Sequence, residues 1–150
     1  MSDQSPNKER IENWLACLKS SGYRLTSPRR AVVEALANSQ QALNAAEIYD
    51  IAREQYPSLG LVSVYRTLEK LEELELIQRV HHPVGCQAFI AGFTGHQHLL
   101  ICQSCGRTQF FEGDNLELLF KRVALHSGYQ ISEHWLQLFG FCVDCQHAET

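Results

Sequence analysis

Six cysteines and seven histidines give this chain of 150 residues many side chains that could bind a metal. Four cysteines form two Cys-x-x-Cys pairs, Cys102 with Cys105 and Cys142 with Cys145, separated by 36 residues. Two such pairs are the ligand set of a closed, tetrahedral zinc site. Gly106 follows the first pair, where a left-handed backbone lets main-chain amides turn towards the sulfur atoms. The spacing predicts a structural zinc ion that joins the two ends of one small domain.

The four cysteines also have two alternative interpretations. Two disulfide bonds would need an oxidising compartment. A thioredoxin-like redox motif needs one pair that opens a helix, whereas here two pairs flank a domain. The first ten residues are polar and no apolar run approaches the length that spans a membrane. We therefore expect a cytoplasmic protein with no membrane partner, in which the cysteines are reduced or bound to metal.

A second group of potential ligands consists of three histidines and a glutamate. His96 and His98 lie on one side of an extended segment, because side chains alternate along a strand. Glu117 falls on the following predicted helix, and His134 falls on the last predicted strand. Three imidazole nitrogens and one carboxylate oxygen suit zinc, iron or manganese. The alternatives are histidines that only form hydrogen bonds and a solvated glutamate.

Apolar residues recur at helical spacing through the first 75 residues. The predicted helices must therefore position whatever this half of the chain binds. Helix one is predicted over about 7–20. Ser27 with Pro28 predicts an N-cap and first position for helix two. Asn44 with Glu47 is a capping-box start for helix three, and Ser63 is expected to cap helix four.

After helix four the period changes to that of strands. Two strands, 76–81 and 87–91, are separated by a Pro-Val-Gly turn. Short helices followed by such a hairpin are typical of a winged helix-turn-helix. A glycine-containing hinge at 92–95 precedes a second unit, with strands at 99–102, 107–111 and 129–139 and a helix at 114–126. The sequence thus predicts an α+β chain with an N-terminal winged helix and a small α+β domain carrying both cysteine pairs.

Helix four has the side chains of a DNA-reading helix. Arg66 is suited to a guanine edge and Tyr65 to a thymine methyl group in the major groove. Arg24, Arg29 and Arg30 lie around the start of helix two, where phosphate contacts usually position such domains. The alternative is a solvated helix face with incidental arginines.

The overall charge argues against a generally basic nucleic-acid binder. The formal net charge is −4, but ten of the thirteen Lys and Arg residues precede residue 80, alongside eleven Asp and Glu. Binding to DNA would then depend on local clusters of basic side chains rather than on bulk charge.

These residues resemble the ferric uptake regulator family of bacterial metal-dependent repressors over nearly the whole chain, from about residue 8 to 145. The segment from Gly22 to Arg29 looks like the family's entry into its second helix. Ser63 to Leu68 looks like the recognition helix, and Leu76 to Phe89 looks like the wing. The most specific part is the run from His96 to Gly106, which leads into the first cysteine pair.

The resemblance implies a homodimer that binds double-stranded operator DNA and represses metal-homeostasis genes. Residues 1–91 would be the DNA-binding domain, 92–95 the hinge and 96–150 the dimerisation domain. Arg24 would enter the minor groove, while Tyr65 and Arg66 read the major groove. His96, His98, Glu117 and His134 fall on the family's regulatory metal site, with a structural zinc at the cysteines.

The family's other sensory site, at the hinge, matches this chain poorly. Its histidine before helix three corresponds to Gln41 or Ala42, and its ligand after the wing falls near Ile90 and Ala91. Further family positions hold Gln97, Leu99 and Phe110. A hinge sensor is therefore absent or rebuilt, with three weak substitutes in the wing: Gln78, His82 and Cys86.

Three classes of function follow from these residues. The favoured one is a metal-responsive repressor, zinc-responsive in the manner of zinc uptake regulators, with iron, manganese or peroxide as alternative signals; it needs no small-molecule substrate. A small zinc enzyme would need an open coordination position and a general base, and the chain has no His-Glu-x-x-His or deaminase signature. A redox-responsive protein would use the cysteine pairs and lose metal on mild oxidation.

Overall fold

The structure, a computed structural model, describes residues 6–81, 87–92, 97–112, 116–134 and 136–147, with the side chains of His81 and Gln97 left out. The chain divides into two compact units, Met1–Phe93 and Thr94–Thr150, so the division falls inside the predicted hinge segment. None of the described helices is long and apolar enough to cross a membrane.

Within its described residues, the first unit contains four helices and a three-stranded antiparallel sheet. The elements, in chain order, are α1 (Pro6–Ser20), α2 (Ser27–Ala37), β1 (Leu43–Asn44), α3 (Ala45–Gln55), α4 (Leu61–Glu73), β2 (Ile77–His81) and β3 (Gln87–Ala91). The sheet order is β1-β3-β2, and β2 pairs with β3 from Ile77 opposite Ala91 to His81 opposite Gln87. The predicted winged helix is confirmed.

One hydrophobic core holds this unit together. Its fully buried side chains come from every helix and include Leu18, Leu36, Ile48, Leu68 and Leu71. Because α4 contributes Val64, Thr67, Leu68 and Leu71 to the buried side, its opposite side is left for solvent. Thr67 is polar but only 2% exposed, since it lies one turn after Val64 and one before Leu71.

Helix starts agree with the predictions in one case and differ in two. At α3 the capping box forms: Glu47 N–H donates to the Asn44 side chain (2.9 Å) and Asn44 N–H donates to the Glu47 carboxylate (2.8 Å). Thr26, not Ser27, caps α2 and accepts from the Arg29 amide. Gly60 occupies the cap of α4, so Ser63 already lies within that helix. In each case the residue with the extended backbone of a cap lies upstream of the serine, and the helix begins directly after it: Thr26 for α2 and Gly60 for α4.

The second unit pairs a three-stranded sheet with two helices. Its elements are β4 (Gln97–Cys102), β5 (Thr108–Glu112), α5 (Leu116–Ser127), β6 (Gln137–Gly140) and the short α6 (Val143–Gln146). The order is β5-β4-β6, with β4 antiparallel to β5 and parallel to β6. The α+β prediction is confirmed.

The last strand is much shorter than the predicted 129–139. In the parallel register Leu99 stands opposite Gln137 and Cys102 opposite Gly140. The observed strand β6 begins at Gln137, and residues 129–134 are irregular. His134 therefore lies ahead of β6 rather than within a strand, which corrects its predicted placement.

Candidate metal centre and nucleic-acid interface

The sheet of the second unit brings the two cysteine pairs together. Cys102 is the last residue of β4 and stands opposite Gly140 of β6, two residues before Cys142. The first pair closes as a turn in which the Gly106 amide donates to the Cys102 carbonyl (3.0 Å), and Gly106 adopts the predicted positive φ of 74°. Cys142 caps α6, so Cys145 follows one helical turn later. Parallel pairing of two strands thus places both pairs at one end of the sheet.

The four sulfur atoms form a cluster with the dimensions of a tetrathiolate metal site. All four lie within 4.8 Å of one another, and Cys105 Sγ is 3.7 Å from Cys142 Sγ. Zinc–sulfur bonds of about 2.3 Å in a tetrahedron imply sulfur–sulfur distances of about 3.8 Å. A disulfide would need about 2.05 Å, and all four cysteines are free. The residues therefore fit a metal such as zinc and not two disulfide bonds.

The electrostatics of the cluster favour a bound cation. Burial raises the pKa of the Cys102 thiol, but N–H groups of Cys105, Cys142 and Ser104 outweigh burial and lower that pKa to about 6. At Cys145 the Ser104 hydroxyl favours the thiolate, yet the Cys142 sulfur and burial prevail and raise the pKa to about 12. Four adjacent thiolates repel one another, so only a divalent cation lets all four be charged at neutral pH.

An ion pair that the sequence did not suggest joins the two cysteine pairs from outside. Arg107, just after the first pair, donates to the Asp144 carboxylate at 2.6 Å, and Asp144 lies between Cys142 and Cys145. The negative charge of Asp144 raises the pKa of Arg107, and the Cys142 and Cys105 thiolates add to this effect. The guanidinium therefore supplies positive charge beside a site that carries excess negative charge when four thiolates hold one divalent ion.

Acidification should release the metal from this cluster. The pKa of the Cys102 thiol, about 6, lies below that of a free thiol, about 8.5. The thiolate therefore stabilises the folded unit fully above about pH 8.5, and this stabilisation is lost as the pH falls through about 6. Protons and metal compete for the sulfurs. We expect the cluster to retain its metal at pH 7 and to release it below about pH 6. The measurement is the thiolate-to-metal absorption of the cobalt-substituted protein across this pH range. Release between pH 8 and 7 would contradict this assignment.

The structure brings together two of the four residues predicted for the second metal site. His98 on β4 is buried, and its ring centroid lies 5.3 Å from that of His134 and 5.4 Å from that of Phe111. The exposed Glu117 of α5 does not share a cluster with them, since the four cysteines are the one set of three or more potential ligands that converges within the described ranges. His96, like the wing residues His82 and Cys86, lies outside those ranges.

A second observation bears on Glu117. Phe120, one helical turn further along α5, packs against His134 with ring centroids 4.3 Å apart. Residues three apart on a helix are neighbours on its surface. Glu117 therefore lies on the side of α5 that approaches His134, although it does not form a three-residue ligand cluster with His98 and His134.

The outer face of α4 presents the predicted DNA-reading side chains to solvent. Tyr65 is 51% exposed, Arg66 is exposed, and Val62 at the start of the helix is 63% exposed. Their exposure follows from the burial of Val64 and Leu68 on the opposite face. An exposed helix with an arginine and apolar groups near its N-terminal end is suited to the major groove.

The three arginines before and within α2 have different environments. Arg24 and Arg30 are exposed. Arg29 is half-buried: its guanidinium donates to the Arg24 carbonyl and lies 5.8 Å from the Tyr23 ring centroid. Lys70 Nζ lies 5.2 Å from the centroid of the same ring, and the Tyr23 hydroxyl donates a hydrogen bond to Glu73 Oε2 at 3.2 Å. Arg29 therefore helps to hold the loop that carries Arg24 next to α4.

Winged helices bind DNA, and a metal centre in a following α+β unit defines a class of metal-responsive DNA-binding transcriptional regulators. The sequence profile of the ferric uptake regulator family matches residues 20–139, which is most of the chain. The chain belongs to this family, whose members are dimeric DNA-binding regulators and not enzymes. The resemblance noted from the sequence is thereby confirmed.

Curated relatives are regulators of more than one signal. The chain is 33% identical over 147 residues to the ferric uptake regulation protein of Bacillus subtilis, covering 95% of this chain and 99% of the relative. It is 30% identical over 135 residues to the protein of that name from Neisseria meningitidis, covering 89% and 94%. The peroxide operon regulator of B. subtilis is 29% identical over 140 residues, covering 93% and 96%.

Solved structures share the fold. The Vibrio cholerae ferric uptake regulator is 30% identical, with a TM-score of 0.66 over 87% of this chain and 99% of that one. A zinc uptake regulator complexed with zinc and DNA has a TM-score of 0.73 at 20% identity, covering 97% and 99%. A zinc-bound manganese uptake regulator has a TM-score of 0.69 at 24% identity, covering 87% and 98%. At such identities the last two likenesses establish the fold alone.

Proposed function

We propose that this protein is a cytoplasmic, zinc-responsive repressor that binds operator DNA as a homodimer and controls metal-homeostasis genes. The observation that carries the proposal is the four-thiolate cluster in a chain that begins with a winged helix. Residues 1–91 would bind DNA, 92–95 would act as the hinge, and 96–150 would dimerise. Cys102, Cys105, Cys142 and Cys145 would hold a structural zinc.

Apolar surface on the second unit supports the homodimer. Among its described residues, α5 buries none of its side chains, and Leu118, Leu125 and Phe139 are 66%, 81% and 42% exposed. Many large exposed apolar side chains on one small unit indicate an interaction surface. A second copy of the chain would cover it, in keeping with a family of dimers.

The regulatory metal would bind at His96, His98, Glu117 and His134. The support is the proximity of His98 to His134 and the position of Glu117 one turn before Phe120. Closing the site requires the Glu117 side chain to rotate towards the imidazoles. Metal binding would then tie β4 and α5 to the segment before β6, and this ordering would bias the dimer towards its DNA-binding arrangement.

Zinc is proposed as the regulatory ion because nitrogen and oxygen sites bind Zn²⁺ more tightly than Fe²⁺ or Mn²⁺ in the usual affinity order. The alternative is an iron-, manganese- or peroxide-responsive repressor, since relatives named for ferric uptake and for a peroxide operon match this chain at 33% and 29% identity. Ferrous iron that restores DNA binding at a lower free concentration than zinc would replace the zinc assignment with iron.

The proposal is tested by DNA affinity measured against buffered free zinc, with the structural zinc retained. Coupling between metal and DNA sites is typically about 1–3 kcal/mol, or about 5–150-fold in affinity. We expect the wild type to gain affinity within that range and His98→Ala to lose the gain. His126→Ala removes an exposed imidazole at the end of α5 and should respond as wild type does.

The outcome that would contradict this site is a wild-type zinc response in His98→Ala. Because His98 is buried, zinc content and circular dichroism of the variant must first show a folded second unit. A folded variant that retains the zinc response would show that the sensor lies in another part of the chain. The next residues to replace would then be those of the wing, Gln78, His82 and Cys86.

A further inference from the structure

An arginine of the wing hairpin forms an ion pair with the recognition helix. From β2, Arg79 forms a two-pronged contact with Glu72 of α4: Nε donates to Oε1 at 3.1 Å and Nη2 donates to Oε2 at 2.8 Å. The remaining terminal nitrogen donates to Gln87 Oε1 on β3 at 2.5 Å. The guanidinium also stacks 5.3 Å from the ring centroid of Phe89, its cross-strand partner.

This contact has the features of a precise joint rather than of an incidental surface pair. A planar guanidinium that meets a carboxylate through two parallel hydrogen bonds is fixed in direction as well as distance. The ring of Phe89, itself buried, adds a stacking contact from below. The side chains of Arg79 and Glu72 are 42% and 35% exposed, so solvent partly screens this ion pair.

A groove of about 560 Å³ lies beside this joint, between the exposed face of α4 and the hairpin. Tyr65, Leu68 and Glu69 line it from α4, and Arg79, Gln87 and Phe89 line it from the hairpin, while β1 and the start of α3 complete it with Asn44, Ala45 and Ala46. Arg79, which meets Glu72, is part of the hairpin wall. The groove therefore opens beside Tyr65, the residue assigned to base contacts, and a change in hairpin position would change what fits there.

The charge of Glu72 gives an independent reason to assign the joint a role. A carboxylate on a helix that approaches DNA repels the phosphates, so Glu72 by itself should weaken binding. Its hydrogen bond raises the pKa of Arg79, and the guanidinium is then committed to Glu72 and Gln87 rather than left for a phosphate. Both side chains are thus used for holding the hairpin instead of for direct contact with DNA.

We propose that Arg79 is a positioning residue for sequence-specific DNA binding: clamped between Glu72 and Gln87, it fixes the β2–β3 hairpin against the recognition helix. The inference rests on the proposed function, because it concerns how the winged helix presents two elements to one duplex. It assigns a role to a residue pair that need not touch the DNA.

The test compares Glu72→Ala with Glu69→Ala, two variants that remove one negative charge from the same helix. Glu69 lines the groove but does not take part in the clamp's hydrogen bonds. The probes are a duplex that the wild type enriches from a random-sequence library and a random duplex of equal length. Electrostatics alone predicts tighter binding of both probes by both variants.

The clamp predicts a different pattern. An ion pair of this exposure is typically worth up to about fivefold in an equilibrium constant, so Glu72→Ala should lose about threefold to fivefold on the enriched duplex and nothing on the random one. Glu69→Ala should bind both duplexes as tightly as wild type or more so. Glu72→Gln keeps one acceptor for Arg79 and should fall between the two variants. Equal affinities of Glu72→Ala and Glu69→Ala for the enriched duplex would overturn the proposal, as would a loss by Glu72→Ala that is equal on both duplexes.

Amide hydrogen exchange of 77–81 and 87–91 in the DNA-free protein separates this inference from the proposed function. Faster exchange in Glu72→Ala than in Glu69→Ala is expected if the clamp holds the hairpin, and equal rates would overturn it. A wild type that enriches no duplex with zinc, iron or manganese would reject the proposed function and the DNA-binding role of Arg79 with it.

Discussion

Replacing one cysteine of the cluster, in Cys105→Ser, is expected to unfold the second unit. The described core of this unit is small: its buried side chains are those of His98, Leu99, Ile101 and Cys102, all on β4. Metal binding of this type contributes about 10–16 kcal/mol in small zinc domains. That is as large as the whole stability of a typical domain, about 5–15 kcal/mol. Loss of one ligand therefore removes most of what keeps β4, β6 and α6 together.

The measurement is zinc per chain, oligomeric state and thermal unfolding of the variant. We expect zinc near zero, a monomer, and an unfolding transition that retains only the first unit. Cys17→Ser is the matched control, because Cys17 is a partly buried, free thiol of α1 far from the cluster in sequence. A Cys105→Ser protein that stays dimeric and cooperatively folded without zinc would refute the structural role.

Arg66→Ala is expected to have the second largest effect, a loss of about 1–3 kcal/mol on the enriched duplex together with relaxed preference at one base position. Arg66 is exposed on α4 beside Tyr65, and its side chain is not drawn into any of the ion pairs between described residues. A bidentate contact with a guanine edge is available to such an arginine but not to a residue held within the protein.

Arg30→Ala provides the comparison, since it removes the same charge from an exposed position of α2. A phosphate contact should weaken all duplexes similarly and reduce the salt dependence by about one ion. Affinities on the enriched and random duplexes, each measured over a range of salt, distinguish the two roles. Equal loss by Arg66→Ala on both duplexes would assign Arg66 to the phosphate backbone.

Features that depend on residues close together in the sequence were predictable. The capping box of α3 needs only Asn44 and Glu47 at the right spacing, and the hairpin at 77–91 needs only two strand-forming runs around a turn. The four cysteines were predictable for another reason. Two Cys-x-x-Cys pairs at this spacing are the ligand set of a zinc site, so residue type alone restricts the chemistry.

Predictions from neighbouring residues failed where packing or strand pairing, rather than residue type, decides the outcome. Ser27 and Ser63 are both good caps, but Thr26 and Gly60 take the cap positions because the whole helix packs in a register set by its buried face. Thr67 looks polar in the sequence and is buried because it shares the stripe of Val64 and Leu71. The last strand was predicted over 129–139, but its described pairing with β4 extends only from Gln137 to Gly140.

Only the tertiary structure decided which distant side chains meet. The sequence by itself determined that there would be a four-cysteine cluster, a winged helix and a helix with an exposed arginine, since each is encoded by local spacing. It did not establish three contacts: the approach of His98 to His134, the stacking of Arg29 on Tyr23, and the hydrogen bonds of Arg79 to Glu72. Such contacts depend on how helices and strands pack and on strand register, and a shift of one residue in a strand moves every side chain to the opposite face.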